Sequence, residues 1–178
     1  MLCFDIETTG LNAHHDRVTC VCLYDPDMDV QHSYVFDQAP KSQDTQAKQD
    51  AVLSLLDSAQ SICAFNGARF DLPFIARSWK VDDARLGGWI AKLVDVFEAC
   101  KLSLNKTFPL NMLLAANGLQ GKSGSGLEAV QLAQRGEWDA LSSYCMQDVM
   151  LTHQVTTLPD VILPRTHLHW SIARGFYS

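Results

Sequence analysis

The chain opens with Leu2-Cys3-Phe4-Asp5-Ile6-Glu7-Thr8-Thr9-Gly10-Leu11, and the reading of this stretch decides the fold. Leu2, Phe4 and Ile6 alternate with Cys3, Asp5 and Glu7, which is the period of a β-strand. Asp5 and Glu7 therefore project side by side from one face, while the apolar three turn towards a core. Two neighbouring carboxylates on a rigid strand are hard to keep ionised together. A hard divalent cation, which takes oxygen ligands, removes that conflict. Thr8-Thr9-Gly10 then ends the strand, and Gly10 is free to take a positive φ or to let a ligand approach the backbone. For an isolated Asp-x-Glu, two solvated acids before a turn are the better reading. Features further along change the weighting.

Working outward, 178 residues suit a single domain, 1–178, with a sizeable core. Hydrophobic residues at 47% and charged residues at 19% make an ordinary globular balance rather than a disordered or membrane chain. The formal net charge of −6 argues against a broad basic surface that grips duplex through its phosphates. It leaves room for a nucleic-acid substrate, because a metal site carries local positive charge. The six cysteines, Cys3, Cys20, Cys22, Cys63, Cys100 and Cys145, form no C-x-x-C pair. Most sit in apolar surroundings, where a free cysteine behaves as a small hydrophobe. That predicts a disulfide-free protein of the cytoplasm or another reducing intracellular compartment. Cys20 and Cys22 could share a strand face and bind metal, but no neighbouring His/Cys pair in the sequence completes a site. No stretch has the apolar length of a membrane span. A secretory or transit segment is not expected, because the first strand begins almost at once. A domain cut from a longer protein fits the same pattern.

Residues 17–24 are β-branched and apolar and predict a second strand. Asp25-Pro26-Asp27 supplies a turn, and residues 30–36 predict a third strand that completes an antiparallel meander. Ala51, Val52, Leu55, Leu56 and Ala59 recur at helical spacing within 47–59. Residues 61–65 read as a short buried strand, parallel to the first after that helical crossover. A helix from Asp71 to Trp79 and a short strand at 92–96 follow, and the rest is largely helical. Helices are predicted at 110–117, with Gly118 as its stop, at 127–134 and at 138–157, with a flexible loop over 120–126. Leu168, Trp170 and Ile172 alternate with polar residues and predict a last edge strand. Meander, then β–α units, then helices make an α/β protein with a mixed sheet and helices packed on it.

Two further acids stand out. Asp71 closes Asn66-Gly67-Ala68-Arg69-Phe70-Asp71, where a buried strand gives way to a helix N-terminus. Open α/β sheets bind ligands at such strand ends, though an Asp in the first turn of a helix is also a common cap. Tyr144 and Asp148 lie four apart on a predicted helix and share one face. That pair alone reads equally as side chains packed along an amphipathic helix. Together, Asp5, Glu7, Asp71 and Asp148 make a carboxylate set that can hold two Mg²⁺ or Mn²⁺ ions ~4 Å apart, an arrangement suited to in-line attack at phosphorus. With an ordinary pKa of about 10, Tyr144 is a poor base at neutral pH. It suits orienting the attacking water.

With these motifs in place, the chain resembles the DEDD-type 3′–5′ exonucleases of the DnaQ-like, RNase H-like superfamily, in their tyrosine (DEDDy) branch. The first motif stands as Phe4 to Leu11, the second, N-x3-F-D, as Asn66 to Asp71, and the third, Y-x3-D, as Tyr144 to Asp148. The segment from Lys122 to Val130, followed by Gly136 and Tyr144, further resembles small bacterial-type predicted exonucleases near family-B polymerase proofreading domains. The resemblance implies an RNase H-like mixed five-stranded sheet flanked by helices. It implies removal of nucleoside 5′-monophosphates from the 3′ end of single-stranded DNA or RNA. Asp5, Glu7 and Asp148 would hold the catalytic metal, with Asp5 bridging to a second that Asp71 serves through water. Thr8, Thr9, Gly10 and Leu11 would line the terminal nucleotide, and Asn66 and Phe70 would hold the strand. Core packing remains an alternative for Leu11 and Phe70.

Weaker candidates are Lys122 in the Gly/Ser loop, for a phosphate or for solvent, Asp95 at a strand end, His14 and His15, and Arg69. A silent RNase H-like module that binds nucleic acid or protein is the alternative class, and so is a subunit that needs a polymerase or processing partner. The intact acid set argues against a silent module.

Overall fold

The computed structural model describes residues 1–37, 43–104, 107–121, 126–164 and 169–170. The first three strands are β1 (Leu2–Thr8), β2 (Val18–Asp25) and β3 (Val30–Val35), and they form the expected antiparallel meander. Helix α1 (Gln43–Ser58) then crosses to β4 (Ile62–Ala64), which runs parallel to β1. Helices α2 (Asp71–Trp79) and α3 (Asp83–Ala91) lead to β5 (Leu93–Asp95), parallel to β4. The sheet order is β3-β2-β1-β4-β5. This is a mixed five-stranded sheet of RNase H-like form, with β1 at its centre. Helices α4 (Val96–Leu104), α5 (Leu110–Ala116), α6 (Gly126–Arg135) and α7 (Trp138–Thr157) complete the helical part.

The alternation read in β1 becomes two cores, one on each face of the sheet. Leu2, Phe4 and Ile6 join Val21, Leu23, Ile62 and Ala64 on one face, against residues of α1, α2 and α3. Cys3, Cys20, Cys22 and Cys63 occupy the other face, against Leu113, Leu141, Cys145, Val149 and Val155. Full burial of an aliphatic side chain is worth about 1.5–3 kcal/mol, and α7 buries Leu141, Val149 and Val155 completely. That apolar contact holds α7 over the centre of the sheet, on the face where Asp5 and Glu7 project. All six cysteines are free and buried.

Several local expectations change. Residues 83–91 form α3, an element that the sequence pattern does not predict. Asp82 caps it by accepting the Arg85 N–H at 2.8 Å, and Trp89 anchors it in the core. Gly10 does not take a positive φ. Its requirement is space, because a Cβ there would stand 2.5 Å from the Asp16 carboxylate. Gly118 does take the left-handed conformation, at φ 68°. It ends α5 in a Schellman turn, with Gly118 N–H donating to Ala115 and Leu119 N–H to Leu114. The predicted last edge strand is instead a separate two-stranded ribbon of β6 (Val161–Ile162) and β7 (His169–Trp170). Strand β7 pairs with Val161–Ile162, the segment leaving α7, and not with either edge of the five-stranded sheet. Leu168 and Ile172 lie outside the described residues, as do residues 122–125 of the predicted loop.

Candidate active site

Asp5 and Glu7 point from the same face of β1 and are partly buried. Asp148 comes from α7 and is buried. The packing of α7 on the sheet brings these carboxylates together, with oxygen atoms within 4.8 Å of one another. Tyr144 lies one turn before Asp148 on the same buried helical face. Both line a pocket of about 470 Å³ that also exposes Asp5, Glu7 and Asp71. Three carboxylates at this separation repel strongly unless protonated or bridged by a cation. All-oxygen, anionic donors fit Mg²⁺ or Mn²⁺ and do not suit soft ions.

Asp71 reaches the same pocket but is held differently. It is buried at the first residue of α2, and its Oδ1 accepts the Ile6 N–H at 3.2 Å. That bond ties the start of α2 to the strand between the two β1 acids. Burial pushes the Asp71 carboxyl up to about 7; the N–H groups of Ile6 and Asp71 oppose the rise, and the charges of Asp95 and Asp148 add to it. Among the described residues Asp71 is outside the three-carboxylate group, so the expected four-acid set is three acids in close reach and a fourth anchored beside them.

The substrate candidates separate in the same way. Asn66 and Phe70 line the pocket. Asn66 sits at φ 71°, a left-handed conformation that Asn tolerates better than most residues. Phe70 packs on Phe74 with ring centroids 5.4 Å apart. Thr8, Thr9, Gly10 and Leu11 are not in its wall. Thr8 donates to the Gly10 carbonyl at 2.6 Å, and Thr9 donates to Asp16 at 3.2 Å while accepting the Arg17 N–H. These contacts build the loop after β1, and Leu11 stands at its tip, 86% exposed. Lys122 lies outside the described residues. Arg69 is ion-paired with Glu98 at the surface, and His14 contacts the Arg77 guanidinium.

Sequence reasoning missed much of the remaining wall. Phe65, Phe97, Phe108 and Asn111 line the pocket, with Phe65 and Phe97 in an edge-to-face contact at 5.6 Å. Asp95, at its strand end, is not part of the pocket wall. Its carboxylate accepts four main-chain N–H groups: Asn66 at 3.0 Å, Ala68 at 2.8 Å, Phe97 at 3.0 Å and Glu98 at 3.2 Å. One buried side chain thus fixes both the loop that delivers Asn66, Phe70 and Asp71 and the helix start that delivers Phe97. A signal for it existed in the sequence, an Asp closing a short strand just before a helix.

Residues 2–158 match the family model of the RNase H superfamily, and the chain belongs to that superfamily. Its fold is also that of part of the family B DNA polymerase from the hyperthermophilic archaeon Pyrobaculum calidifontis. The TM-score is 0.65 at 15% identity, over 85% of this chain and 23% of the polymerase. This chain therefore spans less than a quarter of that polymerase's length. No curated protein matches the chain. The architecture is a nuclease-type fold, and its acidic cluster stands at the centre of the sheet. Among the described residues no helix is long and apolar enough to cross a membrane.

Two outcomes are expected. Asp95→Asn keeps the shape but turns an amide N–H₂ towards a main-chain donor. Hydrogen bonds to charged groups are worth about 1.5–3 kcal/mol each, so a loss of roughly 2–3 kcal/mol should appear in urea or thermal unfolding. The second concerns Asp71. Its native pKa is raised from an unfolded value of about 3.9, so the native state holds this proton more tightly. Its contribution to stability is fully present below about pH 4 and is lost as pH rises through about 7. In EDTA, melting temperatures should fall across that window, and Asp71→Asn, which keeps an acceptor for Ile6, should flatten the slope.

Proposed function

We propose that this protein is a divalent-metal-dependent 3′–5′ exonuclease of the DEDDy type, acting on single-stranded DNA or RNA within one catalytic unit, residues 1–178. The observation that carries the reading is the meeting of Asp5, Glu7 and Asp148 within 4.8 Å, with Tyr144 in the same pocket. Asp5, Glu7 and Asp148 would hold one Mg²⁺ or Mn²⁺. Asp5 would be shared with a second, and Asp71 would serve that second ion through water. Two such ions supply Lewis acidity, lowering the pKa of an attacking water and taking up charge on the leaving oxygen.

The chain's own residues bind and orient. Tyr144 stands one helical turn before Asp148 and lines the same pocket. Its hydroxyl would direct the attacking water at the terminal phosphorus, in line with the 3′ oxygen that leaves. Asn66 and Phe70 would hold the last nucleotide, with Phe65, Phe97 and Phe108 offering faces on which unpaired bases stack. The exposed Leu11 and its loop, Thr8 to Gly10, would meet the strand outside the pocket, and Lys122 would meet a phosphate. The released product is a nucleoside 5′-monophosphate. Stacking of this kind favours frayed or single strands, and the net charge of −6 gives no broad grip on a duplex. A polymerase or processing partner that presents the 3′ end fits the same reading. The six free cysteines support a reducing intracellular compartment.

The test uses 5′-labelled DNA and RNA single strands of one sequence, with Mg²⁺, Mn²⁺ or EDTA. A ladder shortening from the 3′ end, abolished by EDTA and by Asp148→Asn, is expected. Tyr144→Phe should lower kcat by about 100-fold, at the low end of the effects of positioned acid–base groups, while the Mg²⁺ concentration for half-maximal rate moves little. No cleavage by the folded, metal-loaded protein would overturn the reading, and a defect of Tyr144→Phe that extra Mg²⁺ repairs would remove Tyr144 from its role.

A further inference from the structure

Three cysteines unused by the proposed chemistry converge behind the acidic cluster. Cys20 and Cys22 stand on one face of β2, opposite Glu7 and Asp5 of β1 respectively in the strand register. They looked incomplete as a ligand pair, because the third member is distant in sequence. Cys145 of α7, the residue after Tyr144, closes the group. The three sulfurs lie within 4.8 Å of one another, and all three residues are 0% exposed. Cys20 and Cys22 Sγ are 3.7 Å apart.

A metal–sulfur bond of about 2.3 Å places two sulfurs on one ion about 3.8 Å apart in a tetrahedral site and about 4.0 Å apart in a trigonal one. The Cys20–Cys22 spacing already fits, and Cys145 needs to close by less than about 1 Å. Thiolate donors select soft d¹⁰ ions. Among the described residues no fourth Cys, His or carboxylate joins this group. Asp5 Oδ2 stands 3.8 Å from Cys145 Sγ, and it belongs to the acidic cluster. Three sulfurs without a fourth donor suit monovalent copper, whereas Zn²⁺ completes a tetrahedron.

We propose that Cys20, Cys22 and Cys145 form a trigonal thiolate site for Cu⁺, distinct from the carboxylate site. Binding exchanges three S–H protons, released to solvent, for three Cu–S bonds, with no change of oxidation state. The ion joins β2 to α7 between Tyr144 and Asp148, so its occupancy stiffens the helix that carries both. The site does not depend on the nuclease reading.

The experiment titrates Cu⁺ into the reduced, anaerobic protein against a Cu⁺-specific chelator, with a parallel Zn²⁺ arm against a colorimetric zinc chelator. The expected result is one Cu⁺ per chain, with ultraviolet thiolate-to-copper absorption and a raised melting temperature. Affinity should fall at least 10-fold in Cys22→Ala and in Cys145→Ala, and should hold in Cys63→Ala and Asp148→Asn. Cys20→Ala is the second variant should either fail to melt cooperatively. Failure of the folded wild type to compete with the chelator would overturn the proposal. So would unchanged affinity in Cys22→Ala and Cys145→Ala, loss in Cys63→Ala, or retention of Zn²⁺ but not Cu⁺. Each outcome is read as bound metal, so an inactive nuclease would leave the result interpretable.

Discussion

Three carboxylates gathered within 4.8 Å repel one another, and the rest of the molecule is arranged to hold them there. Asp5 and Glu7 cannot separate, because both leave one face of the central strand. Asp148 cannot withdraw, because Leu141, Val149 and Val155 are fully buried along the same helix. Apolar packing on both faces of the sheet therefore offsets an electrostatic cost at its centre. A cation held there would relieve that cost, and the protein would then be more stable with its acidic centre loaded than bare.

Around this centre, main-chain donors set the geometry. Asp95 gathers four N–H groups from two segments, and Asp71 takes the N–H of Ile6. Both carboxylates are buried, where such bonds are stronger than at a surface. They fix the position of the β4–α2 loop relative to β1. The pocket wall of Phe65, Phe70 and Phe97 follows from that placement. A pocket lined by both acids and aromatic rings suits a ligand with a group that binds through cations and a planar group that stacks.

Much of this was legible in the sequence, for physical reasons. The period-2 pattern of β1 and the turn chemistry after β2 gave the meander, and the apolar run at 61–65 gave the parallel strand. Helix α7 was readable because its buried face repeats over twenty residues. Helix α3 was not, because Gly87 and Gly88 lower helix propensity and its hold comes from Asp82 and Trp89. The chemistry-bearing acids were named because short motifs carry them. Asp95 was legible as a cap for the helix that follows it, but its hold on Asn66 and Ala68 was not, because those donors come from a separate segment. Phe97, Phe108 and Asn111 join the wall only through the packing of α4 and α5. The third cysteine of the buried group was out of reach for the same reason: a strand pair and a helix residue meet only after the sheet and α7 have packed.

The most direct test is an anomalous diffraction map from crystals of the protein soaked in Mn²⁺. The account predicts a peak within about 2.5 Å of carboxylate oxygens from Asp5, Glu7 and Asp148, absent in crystals of Asp148→Asn. A well-ordered pocket with no peak there, in crystals that take up Mn²⁺ elsewhere, would contradict it.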